Sequence, residues 1–145
     1  MIAFDTCILV RFLADDDQVQ ANLAEALMRD NTVFLPRTVL LETEWVLRSR
    51  YHKKREELLN FFRLLLEIEN VVLEDAAQFE EAITWYSIGA DFADAMHLSA
   101  CKETILHTFD RDFCKQASKL KMTPNIRIVK FKPDAEIFEP SEPRT

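Results

Sequence analysis

The sequence contains one glycine and five prolines among 145 residues. So little of either residue excludes loop-dominated, collagen-like and low-complexity chains, because these classes depend on glycine- and proline-rich segments. Hydrophobic residues make up 48% of the chain and include eleven phenylalanines, enough to fill the core of one domain. The composition therefore predicts a compact, helix-rich globular domain.

Cysteine is also scarce, and Cys7, Cys101 and Cys114 are odd in number and have no paired spacing. This pattern favours reduced thiols over a disulfide framework or a zinc site. No apolar run approaches the roughly 20 residues that span a bilayer. The apolar start has no basic lead and is interrupted by Asp5, unlike a signal peptide. We therefore expect a cytoplasmic protein that has no membrane segment.

The net charge of −7 lacks the basic excess that is typical of nucleic-acid-binding domains. It does not exclude a nuclease, because divalent cations can neutralise an acidic active site. The charge alone therefore leaves nucleic-acid binding open.

Short apolar runs alternate with helical patterns up to residue 131. The patterns predict strands at residues 1–4, 32–35, 71–73, 104–109 and 126–131. They predict helices at residues 7–13, 18–29, 38–50, 55–68, 75–87, 91–102 and 111–120. This alternation predicts an α/β fold with three α/β/α layers and a central parallel sheet of about four to five strands. The domain covers residues 1–131, and residues 132–145 form a Pro/Glu-rich C-terminal tail with little to bury.

Acidic residues follow two of the predicted strands, at the sheet edge where α/β folds form their sites. Asp5 ends the first strand, which we expect to be central and buried, and Asp110 ends the fourth. Asp91 and Asp94 lie three residues apart at the start of a helix, so they share a face. Each acid also has an ordinary role as a helix cap or dipole partner. Together they indicate a common site more strongly than any of them does alone.

Glu42 shares a predicted helix face with Val39 and Trp45, where an unpaired carboxylate is costly. Metal coordination or a buried arginine would offset that cost. The opposite face of this helix is apolar as well, so periodicity cannot distinguish Glu42 from Glu44. Hard cations such as Mg²⁺ and Mn²⁺ prefer oxygen ligands and offset the repulsion between carboxylates. The acids therefore predict a site for such a cation.

Four ordered segments resemble the successive motifs of bacterial PIN-domain proteins, and most of all the VapC toxins of toxin–antitoxin pairs. These segments are DTCILVRFL, VLLETEWVLRSRY, GADFADAMHLSA and HTFDRDF. The resemblance covers about residues 1–131 and implies an endoribonuclease that depends on Mg²⁺, with Mn²⁺ as a substitute. The acidic set that it implies is Asp5, Glu42, Asp94 and Asp110, with Asp91 and Asp112 as auxiliary candidates.

In this set, the resemblance assigns metal binding to Asp5, Asp94 and Asp110, and the orientation or deprotonation of the attacking water to Glu42. The products would carry a 5′ phosphate and a 3′ hydroxyl. Thr108 matches a family hydroxyl beside the metal site. Thr6 is a supporting candidate because it can cap the helix that follows Asp5.

The sequence departs from the family pattern in two places. Cys7 stands where asparagine is common, so a side-chain hydrogen bond near Asp5 is expected to be missing. His52 follows Tyr51 where glycine is frequent, which changes the loop. Neither difference removes an implied metal ligand.

The resemblance implies three partners: an RNA substrate, a cognate antitoxin that often inserts an arginine near the metal site, and a second copy of the chain in a homodimer. Arg50, Lys53 and Lys54 belong to a basic segment that begins about two helical turns from Glu42. This segment is equally consistent with guiding RNA phosphates and with a solvated helix end. The apolar residues of the next helix suit either an interface or, as we favour, the core: Phe61, Phe62, Leu64 and Leu65.

Three alternatives remain at this stage. A catalytically silent PIN domain would bind RNA or protein without cleaving, although all four acids are present. A haloacid-dehalogenase-like phosphatase needs a second aspartate two residues after Asp5, where Cys7 stands. A phospho-switch domain needs an aspartate after the third strand, and Asp75 keeps that interpretation open.

Overall fold

The computed structural model describes residues 1–14 and 16–130, and the backbone of residues 139–140. The helices of this part of the chain are α1 (Thr6–Ala14), α2 (Gln18–Asp30), α3 (Arg37–Ser49), α4 (Arg55–Glu67), α5 (Ala76–Ser87), α6 (Phe92–Cys101) and α7 (Arg111–Lys119). The strands are β1 (Ile2–Ala3), β2 (Val33–Leu35), β3 (Val71–Leu73), β4 (Leu106–Thr108), β5 (Ile126–Lys130) and β6 (Glu139–Pro140). The predicted helix-rich α/β class and the order of elements up to β5 are confirmed.

Aspartate side chains begin four of these helices. Asp17, Asp75, Asp91 and Asp110 each accept a hydrogen bond from a backbone N–H in the first turn that follows. These bonds satisfy donors that would otherwise have no partner within the helix. The local sequence thus fixes where α2, α5, α6 and α7 begin.

The strands form two hydrogen-bonded sheets instead of the single sheet of four to five strands that we predicted. In the first, β1, β2 and β3 are parallel in that order; in the second, β5 pairs with β4 in parallel and with β6 in antiparallel orientation. The prediction fails at β1, which has two residues and lies at an edge. The N–H groups of Ile2 and Phe4 donate to the carbonyls of Thr32 and Phe34, so this short strand offers little backbone for a second partner. Ala3 is exposed and Ile2 half-buried, so β1 is neither central nor fully buried.

The predicted tail, residues 132–145, lies mostly outside the described residues, as does residue 131. Within it, Glu139 and Pro140 pair with Lys130 and Val129 of β5. Proline suits this position because an edge strand has backbone sites that need no N–H donor.

The core contains an aromatic cluster that joins α4, α5 and α6. The ring of Phe62 lies 5.4 Å from Phe79 and 5.0 Å from Phe92, and Tyr86 lies 5.3 Å from Phe92, between ring centroids. Phe92 is the first residue of α6 and is 1% exposed. Since Asp91 precedes Phe92 and Asp94 follows it by two residues, the cluster fixes the part of the backbone that carries these acids.

Two predictions about burial are resolved by the structure. On α4, Phe62 and Leu65 are buried as favoured, whereas Leu64 is 44% exposed. On α2, the helical spacing of Leu23 and Leu27 predicts that both are buried, but they are 62% and 39% exposed. The helix packs on α1, and its buried residues are Ala21, Ala24 and Met28. No helix in the described part of the chain has the length and apolar character to cross a membrane.

Candidate active site

Asp5 lies between β1 and α1, separated from the strand by Phe4. Its Oδ1 accepts a hydrogen bond from the N–H of Thr6 at 2.7 Å, and its carbonyl accepts from Ile8 and Leu9. Its Oδ2 lies 3.9 Å from the Sγ of Cys7, a weak hydrogen bond from the thiol. The exposed carboxylate of Asp5 is thus held by the start of α1, and Cys7 supplies a weak contact where we expected none.

The packing of α1 on α3 brings Asp5 and Glu42 together. Both line a cleft of about 280 Å³, which we call the Asp5 cleft; Arg11, Arg50 and Tyr51 also line it. Arg11 donates to Tyr51 and to both carboxylate oxygens of Asp16. The hydrogen bond from Arg11 lowers the pKa of Asp16, so this pair stays ionised beside the cleft.

Glu42 is exposed, so the expectation that it lies on a buried apolar face is wrong. The buried glutamate of α3 is Glu44, which is 4% exposed. It accepts hydrogen bonds from Arg48 Nε at 2.8 Å and from the Tyr86 hydroxyl at 3.4 Å. Burial and the neighbouring Glu44 raise the pKa of Tyr86 to about 12, so the phenol keeps its proton. Glu44 is a structural residue, and Glu42 is the glutamate that faces solvent.

A second cleft of about 430 Å³, which we call the Trp45 cleft, adjoins the first. Its lining residues are Thr38, Leu41, Glu42, Glu44, Trp45, Arg48, Asp91 and Ala93. Because Glu42 lines both clefts, it lies between Asp5 and Asp91. The contact of α3 with α6 therefore brings together acids that are far apart in the sequence.

Asp94 links this region to the end of β4. Partial burial raises the pKa of Asp94 to about 6, with further contributions from the charges of Asp91 and Asp110, while His97 acts in the opposite direction. Asp110 is therefore close enough to repel Asp94. Its backbone N–H donates to the hydroxyl of Thr108 at 3.0 Å, so Thr108 orients the turn that carries this aspartate. The exposed Asp112 is absent from the charges that affect Asp94.

The loop before α6 is clamped from two sides by residues whose role we did not predict. Arg55 Nη1 donates to the carbonyls of Tyr86 at 2.8 Å and Ala90 at 2.6 Å. Gln116 donates to the carbonyl of Gly89 at 2.8 Å and accepts from the N–H of Asp91 at 3.4 Å. Gly89 has a φ of 116°, a backbone conformation that glycine adopts readily. Among the residues of this loop, Gly89 alone indicated from the sequence that the chain turns tightly here.

We expect the substitution Arg55→Met to destabilise the protein by about 2 kcal/mol, because it removes two charge-assisted hydrogen bonds. It also removes a cation–π contact, with the guanidinium 4.3 Å from the Tyr86 ring. Urea denaturation measures the change. Lys53→Met is the matched control, since it removes one surface ion pair with Glu57 and should change stability by less than about 1 kcal/mol. Equal effects of the two substitutions would contradict the role of Arg55.

The three predicted RNA-contacting residues lie in different surroundings in the structure. Arg50 lines the Asp5 cleft, and its guanidinium lies 5.7 Å from the Trp45 ring centroid. Lys53 pairs with Glu57 at 3.6 Å, and Lys54 is exposed at the N-cap of α4. Of these three residues, Arg50 is the one that lines an acid-bearing cleft.

The donor chemistry of the two clefts fits a hard cation, because the acids supply oxygen and their repulsion at Asp94 would be offset by positive charge. Within the described residues, however, no three His, Cys, Asp or Glu side chains are close enough together to hold an ion. Asp5, Glu42 and Asp91 line the adjoining clefts, whereas Asp94 and Asp110 line neither, and the acids do not form a closed cage.

The family model of the PIN domain matches residues 2–119. The chain belongs to the PIN-domain family. The match extends from β1 to α7 and includes Asp5, Glu42, Asp94 and Asp110. PIN domains are generally nucleases, so this chain has a nuclease-type fold whose substrate class is nucleic acid. No curated protein matches the chain.

The PIN-domain match favours neither phosphoryl alternative. Asp75, the acid that a phospho-switch would need, instead caps α5 and lies 3.5 Å from Lys102 Nζ.

Proposed function

We propose that this PIN domain is an endoribonuclease that depends on Mg²⁺, or on Mn²⁺ as a substitute, and that it is the toxin of a VapBC-type toxin–antitoxin pair. The observation that carries the proposal is the continuity of the acidic residues. Asp5 and Glu42 share one cleft, Glu42 and Asp91 share the next, and Asp91 and Asp110 repel Asp94.

In this proposal Asp5, Asp94 and Asp110 would hold the cation once it draws their side chains together, and Asp91 and Asp112 remain auxiliary candidates. A bound Mg²⁺ or Mn²⁺ supplies activation of water and stabilisation of phosphoryl charge. Two of these aspartates are already oriented by helix starts, Asp5 by Thr6 and Asp110 by its cap of α7. Such preorganisation reduces the rearrangement that binding requires.

We assign to Glu42 the orientation of the attacking water and the removal of its proton, and the exposure of Glu42 and its position in both clefts support this role. The water oxygen forms a bond to phosphorus, and the bond from phosphorus to the 3′ oxygen breaks. The leaving oxygen gains a proton, which gives a 5′ phosphate and a 3′ hydroxyl. Arg50 faces the same cleft and is the cation we assign to a neighbouring phosphate.

The proposal of an antitoxin partner depends on α2. A groove of about 300 Å³ between α1 and α2 is lined by Cys7, Ile8, Leu23 and Leu27 among others, and Cys7 and Arg11 also line the Asp5 cleft. A segment of an antitoxin bound in this groove would therefore reach the acids of the Asp5 cleft, which fits an inhibitory role.

We also propose that the chain forms a homodimer. Co-purification with the antitoxin and sedimentation of the isolated chain test the two proposals, and a monomer at all concentrations would refute the homodimer.

The test of the activity is an RNA cleavage assay with Mg²⁺, Mn²⁺ or EDTA. We expect cleavage with either cation and a loss of at least about a hundredfold in EDTA, because the carboxylates alone cannot stabilise the phosphoryl charge. Product ends are identified by their ability to accept a 5′ label only after phosphatase treatment.

Cleavage that persists in EDTA would refute the cation-dependent mechanism. Binding of RNA without cleavage under any of these conditions would instead identify a catalytically silent PIN domain.

A further inference from the structure

The two tryptophans of the chain lie in opposite environments. Trp85 is 7% exposed and belongs to the core, whereas Trp45 is 50% exposed on the surface of α3. Leaving a large aromatic side chain in water forgoes hydrophobic stabilisation, so such residues often mark a binding surface. Trp45 follows Glu42 by three residues, about one helical turn, and the two line the same cleft.

The surface of the Trp45 cleft is mostly apolar and also carries charged side chains. Arg50 lies 5.7 Å from the ring centroid, and Arg48, whose side chain is 51% exposed, lines the cleft. The polar and charged residues of the wall are Thr38, Glu42, Glu44, Arg48 and Asp91; Leu41 and Ala93 are its aliphatic members. Since Arg48 already pairs with Glu44, the cleft offers an apolar surface beside a few charged groups, which suits a flat ligand with apolar faces and polar edges.

A nucleobase has these properties. Proteins that bind single-stranded nucleic acid stack unpaired bases on aromatic rings and place arginines beside them. The volume of about 430 Å³ lies in the range of pockets that take small ligands.

We propose that Trp45 is the stacking platform for an unpaired base of the RNA substrate, next to the phosphate that is cleaved. The inference rests on the proposed ribonuclease function and adds a substrate requirement to it. The RNA must be single-stranded at this position. Its base must leave the stack formed with the neighbouring bases and enter the Trp45 cleft. Trp45 is then a determinant of substrate choice and takes no part in the chemistry.

The test compares Trp45→Ala and Trp45→Phe with Leu64→Ala, a control that removes an exposed apolar side chain of α4 outside the cleft. All are made with Asp94→Asn to block cleavage. Fluorescence anisotropy measures the Kd for a short labelled single-stranded RNA, for a matching strand of abasic nucleotides, and for the RNA duplex. Thermal melting checks that each variant is folded.

We expect Trp45→Ala to weaken binding of the single-stranded RNA about tenfold, in line with the usual contribution of one stacked base. Trp45→Phe should retain most of the affinity, and Leu64→Ala all of it. Abasic strand and duplex should bind all variants alike. In the chain with Asp94 intact, Trp45→Ala should raise KM and leave kcat within about twofold.

Unchanged RNA affinity in Trp45→Ala would overturn the inference, as would an equal loss for the abasic strand. A loss of antitoxin binding or self-association with RNA affinity intact would assign Trp45 to a protein interface and also overturn it. If the chain with both Trp45 and Asp94 intact neither binds nor cleaves RNA in Mn²⁺, the proposed function itself fails. If that chain cleaves and Trp45→Ala cleaves as well with the same KM, the stacking platform alone fails.

Discussion

Replacing Asp94 with asparagine should reduce RNA cleavage at least about a thousandfold and, in the absence of metal, make the protein more stable at pH 7. Loss of cleavage follows from the loss of a charged cation ligand. The gain in stability follows because partial burial, reinforced by the charges of Asp91 and Asp110, disfavours the ionised form of Asp94 and raises its pKa to about 6. A carboxylate that destabilises the fold it belongs to is typical of a functional site.

The sign and size of this change in stability depend on pH. The pKa of Asp94 is about 6 in the folded chain, against an ordinary value of 3.8, so folding disfavours the ionised form. The penalty is absent below about pH 4, grows between pH 4 and 6, and is complete above that range. Full linkage would give about 3 kcal/mol; because Asp94 is only partly buried, we expect about 1–2 kcal/mol at pH 7.

Urea denaturation in EDTA at pH 4 and pH 7 measures this difference, alongside the cleavage assay. Asp30→Asn is the matched control, since this exposed acid pairs with Arg29 outside both clefts and should change neither quantity. A variant Asp94→Asn that cleaves RNA at the native rate would remove Asp94 from the site. Equal stability at pH 7 would show that neither burial nor the neighbouring acids disfavour the ionised form of Asp94.

The glutamates of α3 should respond in opposite ways to the same change. Glu42→Gln is expected to lower kcat about a hundredfold or more and to leave stability unchanged, because it removes an exposed proton acceptor. Glu44→Gln is expected to cost about 2 kcal/mol of stability, because it weakens a buried acceptor of hydrogen bonds from Arg48 and Tyr86. The folded fraction of this second variant should retain cleavage within a few fold.

Each glutamate variant is the control of the other, since both substitutions are conservative and lie on one helix. Cleavage is measured per folded molecule, and urea denaturation gives the stability. If Glu44→Gln abolishes cleavage while Glu42→Gln does not, the assignment of the two residues is reversed. If neither variant loses activity, the proton acceptor lies elsewhere.

The choice between Glu42 and Glu44 also shows which features the sequence alone could not predict. Periodicity placed both on an apolar helix, but burial depends on what packs against each face. Tyr86 comes from 42 residues further along the chain and reaches Glu44. Arg55 is similar: it looks like part of a solvated basic segment, yet its acceptors are carbonyls 31 and 35 residues away. Pairings of this kind follow from tertiary packing, which one sequence does not reveal.

Features governed by neighbouring residues were predictable. Helix starts at Asp17, Asp91 and Asp110 follow from a side chain that reaches the next turn of its own backbone. The predicted strand β3 has the same bounds in the structure. Sheet assembly was less predictable, because the apolar run at β1 looks the same in an edge strand and a central one. Leu23 and Leu27 looked like core for the same reason.

Asp91 and Asp110 each cap a helix with the side chain that we assign to the acidic site. Asparagine and serine cap helices about as well as aspartate does, but they carry no negative charge. A descendant of this protein that lost its chemistry could therefore keep its fold through a single exchange at either position. Natural variation at these two caps therefore reports on selection. Asparagine or serine at either position would indicate relaxed selection on activity with the fold retained.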